Sequence, residues 1–218
     1  MKNIFRFPVV FFLVLVSACS SNEVKPSYVS LVKATKITSF SAFQLQFMLD
    51  VSGLDLSTDA IQYDADIYKV TYRTVYNGSE INASGIVALP RTDNPVAMVS
   101  FHHGTISKNA DAPSQQTSTE SLALFAALAS AGFIAVVPDY IGYGSSAAIL
   151  HPYYVEEYMA SACIDNLKAA KELAASKNLD FNEELFLAGY SEGGYATMAV
   201  HKSIEQSRSE EHTLNSSH

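Results

Sequence analysis

The sequence predicts an α/β fold built on a mainly parallel sheet, with an antiparallel hairpin on its amino-terminal side and helices on both faces. Three observations carry this. Residues 66–76 (DIYKVTYRTVY) alternate in polarity and are followed by Asn77-Gly78, a strand and then a hairpin turn. Short, nearly uniform apolar runs recur at 95–101, 133–137 and 184–190, which suits strands covered on both faces. Helical stretches separate those runs, and strand–helix alternation of this kind builds a parallel sheet.

In chain order, residues 38–50 (TSFSAFQLQFMLD) place Phe40, Phe43 and Phe47, with Leu45 and Met48, at helix-like spacing. A short helix docked on the main body is expected there. On the strand at 66–76, Tyr68, Val70, Tyr72, Thr74 and Tyr76 share one face. The second hairpin strand runs over 81–89 and Pro90 ends it. Helices are expected at 119–131 and about 154–176, and a further one from Tyr195 to Glu205. Cys163 falls in an amphipathic stretch and reads as a core residue.

The 218 residues suffice for one domain, and 48% hydrophobic against 17% charged residues excludes a disordered or repetitive chain. The net charge of −8, with no cluster of Lys or Arg, makes the chain a poor candidate for nucleic-acid binding, and no nucleic-acid partner is expected. Two Cys cannot form a disulfide framework.

Both ends of the chain stand apart from this pattern. Lys2 and Arg6, the apolar run Phe7 to Val16 and then Ser17-Ala18 have the layout of a secretory signal over residues 1–18. Val16-Ser17-Ala18-Cys19 resembles a bacterial lipobox, which implies lipidation of Cys19 after cleavage. Ser20 after that Cys implies the outer membrane if the cell is Gram-negative. The mature chain would carry 12 basic and 22 acidic residues, a net −10. Residues 19–60 then read as a tether and the amino-terminal helix. Residues 208–218 (RSEEHTLNSSH) break the preceding helical pattern and resemble the translation of a sequencing-adaptor read-through. They are expected to be non-native, with the natural sequence continuing past about Ser207 and the carboxy-terminal part of the domain missing.

Ligands of open parallel sheets bind outside the carboxyl ends of the strands, and unusual residues cluster there. After the third apolar strand comes Gly189-Tyr190-Ser191-Glu192-Gly193-Gly194, a G-x-S-x-G motif between strand and helix. In that context the turn exposes the Ser191 hydroxyl as a nucleophile, and Gly189 and Gly193 keep side chains from colliding across it. After the first strand come His102-His103-Gly104-Thr105. An oxyanion hole takes one backbone N–H from the residue after the nucleophile and one from this loop. Glu192 and Thr105 are the candidate donors, with Gly104 allowing close approach. No HExxH or carboxylate at ligand spacing supports a metal, so His102 and His103 read as braces of the loop. After the second strand come Pro138 to Ser146 (PDYIGYGSS). Asp139 precedes Ser191, against the Ser–acid–His order of the elbow fold, and reads as a brace of the Gly142–Gly144 turn. No nicotinamide, flavin or phosphate-loop signature is present, so no cofactor is implied.

On the hairpin, HHGT at 102–105, PDYIGYG at 138–144, HPYY at 151–154 and GYSEGG at 189–194, the chain resembles an α/β-hydrolase, and within that superfamily the bacterial relatives of the secretory lipases. The resemblance covers roughly residues 60–205 and makes 61–207 a partial hydrolase domain. It implies hydrolysis of a small-molecule carboxylic ester through an acyl-enzyme on Ser191, in a lipid-anchored protein of the bacterial envelope. The departure lies after Ser191: only 27 residues follow it, and a βα unit takes about 30 or more. The triad acid and His are therefore not found, and His201, about ten residues along a helix, should not return to Ser191. Two further readings stay open: a serine peptidase on the same elbow, and a non-catalytic ligand-binding lipoprotein with a degenerate hydrolase fold. The loop 105–118 and Tyr140, Tyr143, Tyr153, Tyr154 and Tyr158 either rim a pocket for the acyl group or pack a helix against a loop.

Overall fold

The computed structural model describes residues 29–52 and 58–215, with side chains through Ser207. The expected signal sequence and Cys19 lie outside the described residues. Six strands form one sheet: β1 (Leu31–Phe40), β2 (Ala65–Tyr76), β3 (Ser79–Pro90), β4 (Val96–His102), β5 (Phe133–Pro138) and β6 (Phe181–Gly189). Among the described residues four α-helices accompany them: α1 (Ala42–Ser52), α2 (Thr119–Ser130), α3 (Glu156–Ser176) and α4 (Glu192–Asn215).

The spatial order is β1-β2-β3-β5-β4-β6. β1, β2, β3 and β5 pair antiparallel in turn, while β4 pairs parallel with both β5 and β6. The β2–β3 hairpin turns at Asn77 and Gly78, both at positive φ (50° and 73°), the backbone that Asn-Gly favours. On β2 the expected face is the buried one, with Tyr68, Val70, Tyr72 and Thr74 inside. The antiparallel part is one strand larger than the hairpin, because β1 adds to its outer edge. Its sequence (LVKATKITSF) buries only its two end residues, so it carries little apolar alternation to announce it.

α1 begins later than expected and docks on the main body through part of the expected set. Phe40 closes β1, and Leu45 and Leu49 are buried, with Met48 packed beside them. Phe43 and Phe47 point outward at 76% and 60% exposure. Both stripes have helical spacing, and aromatic content by itself does not say which one faces the body.

α1 and α2 cover one face of the sheet over Ile67, Ile86, Val99, Ala135 and Val137. α3 covers the other over Tyr72, Val87, Met98, Ile134 and Val136. The alternation of Ile134 and Val136 with Ala135 and Val137 divides β5 between the two cores, which explains its unbroken apolar run. A third cluster joins α3 to α4 through Met159, Cys163, Ala196 and Val200, with Cys163 fully buried as expected. α4 extends to Asn215, so the helical pattern does not break at Arg208. Residues 208–215 contain neither Gly nor Pro, and nothing in their composition forces a helix to stop.

Candidate active site

β4, β5 and β6 deliver their carboxyl ends to one place. Ser191 sits in the turn between β6 and α4 at φ 56°, a left-handed backbone that a non-glycine residue adopts only when its surroundings impose it. The turn is closed by Gly193 N–H to Tyr190 O (2.9 Å) and Gly194 N–H to Ser191 O (3.0 Å), and it is tied to β4 by Tyr190 N–H to His102 O (3.3 Å). A side chain on Gly189 would strike the Gly193 carbonyl, and one on Gly193 would strike the carbonyl of His102. Ser191 itself is exposed, while Glu192 and Gly193 are buried. Glu192 is the first residue of α4, where backbone N–H groups lack intrahelical partners and favour negative charge.

The loop after β4 is held by its two histidines. Thr197 Oγ1 donates to Gly193 O (2.8 Å) and so accepts from His102 Nδ1 (2.8 Å). His102 Nε2 is then an acceptor for the Ser100 hydroxyl (2.9 Å). Burial, aided by the neighbouring His103, lowers the His102 pKa to about 4, so the ring is neutral. This histidine thus ties β4 to the first turns of α4. His103 Nδ1 donates to Gly104 O (2.7 Å), and burial likewise lowers its pKa. Tyr140, at φ 68°, donates from its hydroxyl to His103 O (2.9 Å). Thr105 is exposed, its hydroxyl 3.2 Å from that of Tyr153. The Gly104 Cα approaches the Tyr190 ring, where a Cβ would lie 2.6 Å from Cε2. Among the described residues no group of three His, Cys, Asp or Glu is placed to hold a metal.

Asp139 is fully buried and acts as a brace. Its carboxylate accepts from the Ser84 hydroxyl (2.6 Å) and the Ser114 N–H (2.7 Å), and Ser84 in turn accepts from the Ser145 N–H (2.7 Å). Burial raises its pKa, against the pull of those donors and of His103. The tyrosines differ in burial and partners. Tyr140 is buried and packs on His103, and Tyr158 donates to Asn77 Oδ1 (2.7 Å). Tyr153 and Tyr154 are exposed beside the site. His201 lies exposed on α4, ten residues and about 15 Å of helix from Ser191.

One pair escapes the sequence reading. His151, from the loop before α3, places Nε2 2.7 Å from Glu192 Oε1 and Nδ1 2.6 Å from Ile141 O. The Glu192 side chain is 1% exposed and that of His151 11%. Both residues lie in motifs visible in the sequence, but 41 positions separate them, and no local periodicity links them. A cavity of about 460 Å³ lined by Asp66, Arg91 and Lys177 lies at the opposite end of the sheet, away from Ser191.

Residues 106–206 match the secretory lipase family. A protein of Legionella pneumophila described as a hydrolase is similar in structure over 82% of this chain and 48% of its own, at 34% identity and a TM-score of 0.73. The rice cell wall degrading esterase LipA of Xanthomonas oryzae, in a ligand-bound form, is similar over 83% of this chain and 47% of its own, at 26% identity and a TM-score of 0.74. Candida antarctica lipase A shares the fold at 17% identity and a TM-score of 0.50, over 79% of this chain and 37% of its own. No curated protein matches. The chain spans about half the length of the two bacterial structures.

Proposed function

We propose that this chain, which has the α/β-hydrolase fold and resembles the secretory lipases over residues 106–206, carries the nucleophile half of a serine hydrolase of carboxylic esters. The Ser191 hydroxyl adds to the ester carbonyl, the backbone N–H groups of Glu192 and Thr105 receive the oxyanion, and the alcohol leaves an acyl-enzyme that water opens. The supporting observation is the φ of 56° at Ser191 in a turn that requires glycine on both sides. Esters as the substrate class are supported by the lipase match and by the esterase named among the similar structures.

The proton acceptor is not one of the described histidines. His102 and His151 are engaged through both nitrogens, His103 is buried against Gly104 and Tyr140, and His201 lies far along α4. With the described residues alone, the site should show only the residual catalysis, roughly 10³–10⁴ over water, that a nucleophile site without a complete triad retains. A fluorophosphonate should modify Ser191 slowly but selectively, read by peptide mass spectrometry. Labelling that persists undiminished in Ser191→Ala removes this reading. The match to secretory lipases accords with an extracellular or envelope protein, and Cys19 is the proposed lipid attachment. Expression in a bacterium fed a radiolabelled fatty acid should label the chain, and Cys19→Ser should abolish the label. Equal labelling of both would remove the anchor.

A further inference from the structure

The carboxylate of Glu192 is an unusual group to bury where it stands. It belongs to the residue whose backbone N–H is a proposed oxyanion donor, and a negative charge beside a developing oxyanion opposes it. A buried carboxylate persists when it is paired and hydrogen-bonded. Among the described residues the ion pairs include one with Glu192, and the partner is His151.

The hydrogen-bond pattern sets the protonation of that pair. Ile141 O can only accept, so His151 Nδ1 carries a proton. If Nε2 lacked one, it would face the carboxylate acceptor to acceptor at 2.7 Å. A proton must therefore lie between them. The other ionisable groups around the pair are His103, Tyr140, Tyr143 and Tyr154, which lie within reach of the Glu192 charge, and Tyr153, whose ring packs on His151. None of these supplies a fixed positive charge. Burial opposes the charged imidazole, but the bonds to Glu192 and Ile141 together with the carboxylate charge outweigh it, and the His151 pKa is raised.

The ring also joins the two sides of the oxyanion hole. Its bond to Ile141 ties it to the loop after β5, where Tyr143 donates to Ile106 O (2.6 Å), one residue beyond Thr105. Its bond to Glu192 ties it to the elbow.

We infer that His151 is a positioning residue of the proposed esterase: as an imidazolium it neutralises the buried Glu192 carboxylate and holds the elbow against the loop that presents Thr105. This rests on the proposed function, and two measurements on the full chain separate their failures. The first is independent of catalysis. The ¹⁵N shifts of the His151 ring at neutral pH should report protons on both nitrogens, and Glu192→Gln should return the ring to a neutral form protonated at Nδ1. A neutral ring in the unaltered chain overturns the inference.

The second uses phenylboronic acid, to which the Ser191 hydroxyl adds through a new O–B bond, its proton passing to solvent. The product is an anionic tetrahedral boronate that places negative charge in the oxyanion hole. His151→Ala should weaken this adduct, followed by ¹¹B NMR, by roughly 10- to 100-fold, the scale of one uncompensated nearby charge. Adding Glu192→Gln to His151→Ala should restore most of the loss, because the stranded charge is gone. Binding by the unaltered chain should weaken as alkali removes the shared proton, and Glu192→Gln should lack that limb. A double variant as weak as His151→Ala, with both folded by circular dichroism, overturns the charge role. An adduct equally strong in Ser191→Ala overturns the proposed function, while the ring spectrum still reports on the pair.

Discussion

β5 and the second half of β6, Leu185 to Ala188, are both apolar runs that end at the site, yet they stand in opposite surroundings. β5 lies between β3 and β4, and Ile134, Ala135, Val136 and Val137 are each fully buried. β6 ends the described sheet, with Leu185 and Phe186 exposed at 37% and 52%. An apolar run thus predicts a strand well and predicts its burial only as far as neighbours exist on both sides. The ends differ too. β5 runs into Asp139, sealed in a cage of donors, while β6 runs into the exposed Ser191.

Removing the seal should have the largest effect. Asp139→Ala strands the Ser84 hydroxyl and the Ser114 N–H in the interior and opens a void against Gly144. Loss of one side of a buried polar cluster of this kind costs about 3–5 kcal/mol, read as a shift of the urea midpoint. The pH dependence has a definite sign. Burial raises the folded-state pKa of Asp139 above the ordinary carboxylate range. The stabilisation from its proton is complete below the unfolded pKa and is lost as pH rises through the folded one. Stability measured against Asp139→Asn should therefore fall with rising pH in that window. A difference that instead grows with pH would mean that the donors outweigh burial.

Much of this was legible beforehand, and the gaps have physical causes. The hairpin, the three parallel strands and the turn at Ser191 rest on local signals: alternation, Asn-Gly and G-x-S-x-G. The bracing roles of His102, His103 and Asp139 followed from their places after strands. β1 was missed because Lys33, Lys36 and Thr38 interrupt its apolar pattern while it pairs along β2. The pattern at 38–50 left the docking face of α1 open, because α1 offers apolar residues on several sides. The His151–Glu192 pair is a contact between distant loops, and only the folded chain brings it together.

The smaller effects test the two strands directly. Ile134→Ala removes a fully buried side chain from a core that includes Val136 and Leu173, and such a truncation costs about 2–5 kcal/mol through lost transfer energy and the cavity left behind. Phe186→Ser should cost less, although Phe is the larger residue. Half of its surface already meets water, and its identified aromatic partner is Phe133, edge-on at 5.8 Å between ring centroids. An edge-to-face pair is worth about 0.5–1.5 kcal/mol, so a loss near 1 kcal/mol is expected. The same substitution removes apolar surface from the edge strand of the described sheet, where association is favoured, so light scattering at high concentration should fall. Ile134→Ala should instead raise scattering by populating unfolded chain. Equal costs for the two variants would mean that β6 is as well covered in solution as β5, and the contrast between the strands would then belong to the isolated chain and not to the protein as it associates.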